Sequence, residues 1–556
     1  MPPAPAPTVA DTVGAALAAA GVEVAFGVLG SGNLVATNAL CAGGATFHAA
    51  RHENGAVGMA DGWGRVTGRV AVCSVHQGPG LTNLTTGLAE AAKASTPLLV
   101  LAADTPAAAR RSNFRIDQHG LVRAVGAVPE RVHSARSAAA DAVHALRRAQ
   151  VERSPVVLMA PIDLLAAPAD PGAAAPAAAP VPAAPAPDAG AVADAAALLR
   201  RARRPVIVAG RGAVLADAGD ALETLGARTG ALLATSAMAN GLFAGRPYAL
   251  GISGGFASPL AAELLPQADL VLAVGATLNH WTTRHGGLIG DGARVVAVDV
   301  DPAALGANVP CDVALAGDAR ATAAALDAAL AADGWSQVGW RTPEQAAAIA
   351  ARRWHDEPFV DAGTAEHIDP RAFSIALDAA LPADRTVAVD SGHFLGWPAM
   401  FLPVPDARSW VFANGFQAVG LGLGCAIGAA VARPDRVTVA ALGDGGAFMA
   451  LEELETAVRL RLRLLVAVYD DAAYGAEVHH FRPMGHDVSR AQFADADLAA
   501  VARAVGARGV TVRHVDDLAA VAGWVAAGPA AGPLLVDAKV HPEVAAAWLE
   551  EAFRAG

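Results

Sequence analysis

The chain is 556 residues long, 54% apolar and only 17% charged, with a formal net charge of −12. That length suits several domains, three at about 150–200 residues each, and the composition excludes a disordered chain. The acidic balance also excludes nucleic acid as a natural partner, because phosphate backbones select basic surfaces. Cys41, Cys73, Cys311 and Cys425 are scattered without a Cys-x-x-Cys pair and read as buried thiols of a cytoplasmic protein. Met1 to Val9 is Pro/Ala-rich and lacks the basic start and apolar centre of a signal peptide.

From Thr8 to Leu165 helical and strand patterns alternate. Asp11 to Ala20 reads as a helix, Val24 to Val28 as a strand and Glu53 to Thr67 as a helix. Val70–Val75, Leu98–Ala102 and Val156–Met159 are short, wholly apolar runs, as parallel strands buried on both faces should be. Residues 166–190 are almost all Ala and Pro, which suits a semi-extended linker and cannot build a core. A second unit, 191–332, carries the strands Val206–Ala209, Leu270–Val274 and Val295–Val300. A polar, Trp-containing connector follows at 333–366. The third unit, 367–545, holds the strand Thr386–Val389 and an uncharged segment from Ser409 to Ala432. That segment is long enough to span a bilayer, but Asn414, Gln417 and five glycines make it a buried turn and helix rather than a membrane span. The fold class expected is α/β, with three doubly wound parallel sheets.

Two strand ends in the third unit invite chemistry. Val437 to Leu442 is an apolar strand that runs into Gly443-Asp444-Gly445-Gly446, and Ala447 to Leu460 reads as one helix. A second strand, Leu464 to Tyr469, closes on Asp470-Asp471. A glycine turn feeding a helix offers free N–H groups to phosphate oxygens, and carboxylates there repel a diphosphate unless a divalent cation lies between. Mg²⁺ combines one or two carboxylates with phosphates in this way, so the pattern reads as a Mg²⁺–diphosphate site. In the first unit, Arg51-His52-Glu53-Asn54-Gly55-Ala56 sets an acid at a helix start, where the dipole alone accounts for it. Ser74-Val75-His76-Gln77-Gly78-Pro79-Gly80-Leu81-Thr82-Asn83 is a strand and turn that let a ligand approach backbone, or simply a tight connection.

Phe26-Gly27-Val28-Leu29-Gly30, His52-Glu53-Asn54-Gly55-Ala56, Gly78 to Asn83 and Gly443-Asp444-Gly445 occur in the order found in thiamine-diphosphate enzymes. The chain resembles their acetolactate synthase-like group over about Thr8 to Ala545. The resemblance implies pyrimidine-binding, central and diphosphate-binding domains, with thiamine diphosphate and Mg²⁺ as cofactors. It makes Glu53 the acid that bonds the aminopyrimidine ring and promotes the tautomer needed to deprotonate the thiazolium C2; burial of the carboxyl favours such proton exchange. Asp444, Asp471 and the Ala473 carbonyl match the metal positions. Gly392, His393, Gly443, Gly445 and Gly446 would line the diphosphate, with Gly30, Tyr474 and Gly475 also at the cofactor. Backbone at Gln417 and Val419 would hold the pyrimidine, Val419 standing where a bulkier residue usually bends the cofactor. Relatives mostly carry Asn at the position of Asp471, although acid occurs there in some flavin-independent acetolactate synthases. The family builds each site between two chains, so a homodimer or homotetramer is expected.

The same resemblance implies a small 2-oxo acid as substrate, decarboxylated and then protonated to an aldehyde or joined to a second carbonyl. Ser112 to His119 lacks the Phe-Gln-Glu pattern of biosynthetic acetohydroxyacid synthases, and Gly275 to Trp281 lacks the arginines of flavin-binding relatives, which argues against FAD. Glu477 stands where aldehyde-forming decarboxylases keep a proton-donating acid. His479 and His480 follow on the same expected helix, and His76 is a further relay candidate near neutral pH. The expected activity is a carboligase or decarboxylase of the acetolactate synthase type. The alternatives are a non-oxidative 2-oxo acid decarboxylase, or a lyase of 2-hydroxy ketones or acyl-CoAs. A non-catalytic paralogue has no reason to keep Glu53, Asp444 and Asp471 together. The sequence does not specify the 2-oxo acid, the acceptor or a regulatory subunit.

Overall fold

The computed structural model describes residues 6–174, 180 and 182–552. Three apolar strand sets form three six-stranded sheets, and every paired strand named below runs parallel to its neighbours. The first sheet contains β1 (Val24–Gly27), β2 (Thr46–Ala49), β3 (Ala71–Val75), β4 (Leu98–Asp104), β5 (Val128–Arg131) and β6 (Val156–Pro161), in the order β2-β1-β3-β4-β6-β5. The second contains β7 (Pro205–Ala209), β8 (Leu232–Thr235), β9 (Ala249–Ile252), β10 (Leu270–Val274), β11 (Arg294–Asp299) and β12 (Val313–Ala316). Its order, β12-β11-β10-β7-β8-β9, is that of a dinucleotide-binding sheet. The third contains β13 (Arg385–Val389), β14 (Trp410–Phe412), β15 (Val437–Gly443), β16 (Leu464–Asp470), β17 (Arg508–Val512) and β18 (Leu534–Lys539). Its order, β14-β13-β15-β16-β18-β17, repeats that of the first sheet position for position.

Central strands such as β3, β7, β10 and β16 are buried along their whole length, which is why they read as unbroken apolar runs. Helix α1 (Glu53–Thr67) follows β2; it starts at His52, whose side chain accepts from Asn54 N, and stops at the left-handed Gly68. Helix α2 (Thr85–Lys93) follows β3, and α3 (Gly422–Ala432) follows β14. The stretch expected as one helix over Ala447–Leu460 divides into α4 (Asp444–Met449) and α5 (Glu453–Arg459). Between them Ala450, Glu453 and Leu454 bond three residues back, to Ala447, Ala450 and Leu451. The tightened turn redirects the chain so that Glu453, at the start of α5, is fully buried.

The uncharged 409–432 segment is therefore β14, a loop and an 11-residue helix. Among the described residues, no helix is long and apolar enough to cross a membrane. Helices α1 and α3 cross so closely that a Cβ on Gly62 would strike the Cys425 carbonyl, and one on Gly428 the Met59 carbonyl. Met59, Trp63 and Leu88 of the first unit share one core with Leu423, Ile427 and Leu454 of the third. Part of the Ala/Pro-rich 166–190 stretch, 175–179 and 181, lies outside the described residues. Its remainder is pinned where Asp318 N donates to Pro185 O. In the 333–366 segment Trp340 and Trp354 donate their indole N–H groups to Pro205 O and Phe256 O, anchoring it on the central sheet unit.

Candidate active site

Asp444 ends the turn after β15 and begins α4; it is buried. Burial first, then Asp471 and Asp470 nearby, push its carboxyl up to about 8. A divalent cation set among these acids would reverse that penalty, and the oxygen donors suit a hard ion bridging to phosphate. The floor is cut for such a group. A Cβ on Gly446 would collide with Asp390 Oδ2, and one on Gly475 with Asp471 Oδ2. The Asp471–Gly475 turn is fixed from outside: Tyr474 N donates to Ala491 O, Phe493 N to Ala472 O, and Ala472 N to Asp470 Oδ1. Ala472 is held at φ +51°, a cost of roughly 1 kcal/mol or more that the pinning sustains. His393 Nε2 accepts from Ala546 N at 2.9 Å, so the neutral ring carries its proton on Nδ1, which faces Asp471 at 3.8 Å. His479 packs against that ring, tilted at 39° with centroids 4.4 Å apart, and burial, reinforced by His393, lowers its pKa to about 4.

The Gly415–Gly420 segment borders the same space. Gln417 takes a left-handed φ of +62°, with Val419 beside it and 39% exposed. Asp390, fully buried at the end of β13, accepts from Gly420 N at 2.9 Å and Leu421 N at 3.2 Å. Burial raises its pKa to about 6 although those donors act to lower it.

Gly392, His393, Gln417, Val419, Gly443, Asp444, Gly445, Gly446, Asp471, Ala473, Tyr474, Gly475 and Glu477 all line one cavity of about 1620 Å³. Its far wall is the C-terminal edge of the central sheet, including Gly275, Asn279 and Asp299.

Gly30, Glu53 and His76 do not line that cavity. They gather instead at the edge of the first sheet. Asn83 Nδ2 donates to Glu53 Oε2 at 2.9 Å, and Gly80 lies next to the Glu53 carboxylate. Gly30 abuts the His76 ring, whose Nε2 is 3.3 Å from Ser31 Oγ. Gln118 holds the turn above, accepting from Gly78 N at 2.8 Å and donating to Ala103 O at 3.0 Å. One chain thus presents two separate constellations, an acid–imidazole group and a glycine–carboxylate cradle.

Sequence reading passed over Ser31, Asp390, Glu90 and Glu453. Asp390 carried a readable signal, being an acid after an apolar strand and before Gly392. The two glutamates carried none, because their partners lie hundreds of positions away.

Three family models match the chain: the thiamine pyrophosphate enzyme N-terminal TPP binding domain over residues 7–127, the central domain over 192–326, and the C-terminal TPP binding domain over 390–538. The chain is 30% identical to the acetolactate synthase isozyme 2 large subunit of Escherichia coli, an alignment covering 83% of this chain and 82% of that one. It is also 30% identical to the sulfoacetaldehyde acetyltransferase of Castellaniella defragrans, covering 90% and 88%. Among solved structures, the thiamine diphosphate-dependent 4-hydroxybenzoylformate decarboxylase of Rhodococcus jostii superposes with a TM-score of 0.81 at 22% identity, over 96% of this chain and 99% of that one. That last likeness speaks to the fold alone. The chain belongs to the thiamine pyrophosphate enzyme family, and its three parallel sheets correspond to the family's three domains.

Proposed function

We propose that the protein is a thiamine-diphosphate- and Mg²⁺-dependent decarboxylase/carboligase of 2-oxo acids, of the acetolactate synthase type. The observation that carries this reading is the cradle at the ends of β15 and β16, where Asp444, Asp471 and Ala473 converge with Gly445 and Gly446 on one cavity. When bound there, the cofactor supplies the nucleophilic carbon and the electron sink for decarboxylation. The chain's own residues would do the rest: Asp444 and Asp471 would hold the metal, Gln417 and Val419 would support the pyrimidine, and Glu53 would exchange a proton with the ring.

Glu53 lies outside the cavity of its own chain, so the reading includes a homo-oligomer in which a second chain's first domain completes each site. Exposed apolar residues beside both constellations support this, among them Leu29 and Phe114 on one side and Phe416 and Tyr474 on the other. Sedimentation that finds an active monomer would remove the inference.

One observation favours a second reading, a non-oxidative decarboxylase: Glu477 lines the cavity two residues beyond Gly475. Incubation with thiamine diphosphate, Mg²⁺ and pyruvate separates the two, acetolactate supporting the first and an aldehyde alone the second. The panel of substrates should include other 2-oxo acids, and sulfoacetaldehyde because a relative's name specifies that aldehyde. No CO₂ from any 2-oxo acid would overturn both readings. The reading needs no flavin, so the purified protein should lack flavin absorbance.

A further inference from the structure

The first and third sheets share one strand order, so their following elements correspond: α1 after β2 with α3 after β14, and α2 after β3 with α5 beyond β15. Each of α2 and α5 carries a buried glutamate that crosses to the other domain. Glu90 of α2 accepts from Gly415 N at 2.9 Å through Oε1 and from Phe416 N at 2.6 Å through Oε2. Glu453 of α5 accepts from His52 N at 2.9 Å and Arg51 N at 3.0 Å. Both thus hold two consecutive amides just ahead of the corresponding helix of the opposite domain. One pair of amides leads into Gln417 and Val419. The other leads directly into Glu53.

The two carboxylates are supported differently. Arg65 Nη2 lies 2.7 Å from Glu90, while its other nitrogens bind Asp61 and the Phe412 carbonyl. Glu453 has Thr456, whose hydroxyl donates at 2.6 Å, and among the described residues no arginine at comparable distance; burial pushes its carboxyl above the ordinary range. Such acids are costly to bury, and removing one leaves two amides without partners. A packing role alone does not require that each acid reach the segment carrying the other domain's cofactor contacts.

We infer that Glu90 and Glu453 are reciprocal positioning residues, Glu453 setting the Glu53 carboxylate and Glu90 setting the Gly415–Gly420 cofactor segment. The inference rests on the proposed function for the cofactor's identity. Because Glu53 serves proton exchange and the Gly415–Gly420 segment serves cofactor support in the proposed function, the two acids control different steps and their loss should be separable.

The test compares Glu90→Gln and Glu453→Gln with the unaltered enzyme, measuring thiamine-diphosphate affinity by calorimetry with Mg²⁺ and C2–H exchange of the saturated cofactor by NMR. Glu90→Gln should weaken cofactor binding by about tenfold and leave exchange within about threefold, while Glu453→Gln should slow exchange by about tenfold and leave affinity within about threefold. If either variant fails to fold, Arg65→Lys or Thr456→Val takes its place, each loosening one carboxylate, with the same split at about threefold. Both readings moving together in each variant, or neither moving, overturns the inference. Unaltered protein that binds no thiamine diphosphate overturns the proposed function and this inference with it. Unaltered protein that binds normally, without the split, overturns this inference alone.

Discussion

The first and third sheets are built on one plan and differ in what they set at corresponding strand ends. After β1 and β3 the first places Val28, His76 and Gln77; after β13 and β15 the third places Asp390 and Asp444. The ends of β4 and β16 both carry an acid, Asp104 paired with Arg131 and Asp470 paired with Lys539. The frame is therefore common, each acid meeting a basic partner, although Lys539 also lies 2.6 Å from Asp495 and 3.0 Å from Asp537. The difference is that the third sheet gathers additional carboxylates and glycines into a cradle, whereas the first gathers an imidazole and a lone helix-start glutamate. Fold alone does not choose between these chemistries, and a handful of residues at the sheet edge does.

If the cradle belongs to the third sheet only, Asp444→Asn should have the largest effect. It should reduce metal-dependent thiamine-diphosphate affinity by about a thousandfold, read by calorimetry. Retained affinity would break the comparison, since the cation would then have to be held elsewhere. The joint between the two regions comes next. Gly428→Ala should cost about 3 kcal/mol in chemical denaturation, because the added methyl drives into the Met59 carbonyl, and backbone yields poorly. On the first-sheet side, Glu53→Gln should lower turnover by about a hundredfold and leave cofactor affinity within about threefold, the opposite profile to Asp444→Asn.

The smallest effect concerns Asp390, which has no acidic counterpart after β1. Its folded pKa, raised to about 6, lies above the unfolded value, so the folded state holds its proton more tightly. The stability this confers is complete below about pH 4 and is lost as pH rises through about 6. Asp390→Asn should flatten that part of the stability profile relative to the unaltered chain, measured by urea denaturation from pH 4 to 7. An unchanged profile would show that the buried carboxyl does not titrate there.

Most of this arrangement was legible in the sequence because its physics is local. Leu270–Val274 is a buried parallel strand with the bounds its apolar run predicts, and Glu53–Thr67 is a helix whose cap residues announce both ends. The glycine–acid turns at Asp444 and Asp471 are likewise local, since strand, turn and acid follow one another. What was not legible depends on sequence-distant packing. The break between α4 and α5 has no glycine or proline to signal it; it follows from turning Glu453 toward Arg51 and His52. The common strand order of the first and third sheets was equally silent, because different side chains serve one topology. The separation of Glu53 from the cradle within one chain is a matter of which edges face which, and no periodicity records that.

The crossing of α1 and α3 has a consequence for how the chain comes into being. The face of α1 that carries Met59 and Trp63 finds its cover in residues more than three hundred positions later in the sequence. During synthesis the first sheet leaves the ribosome with that face bare, and it stays so until the segment through Gly428 has emerged. At about 5–20 residues per second, the wait is of the order of tens of seconds. The same close contact that unites the finished enzyme therefore leaves its first third, while incomplete, with an apolar helix face exposed to non-native contacts.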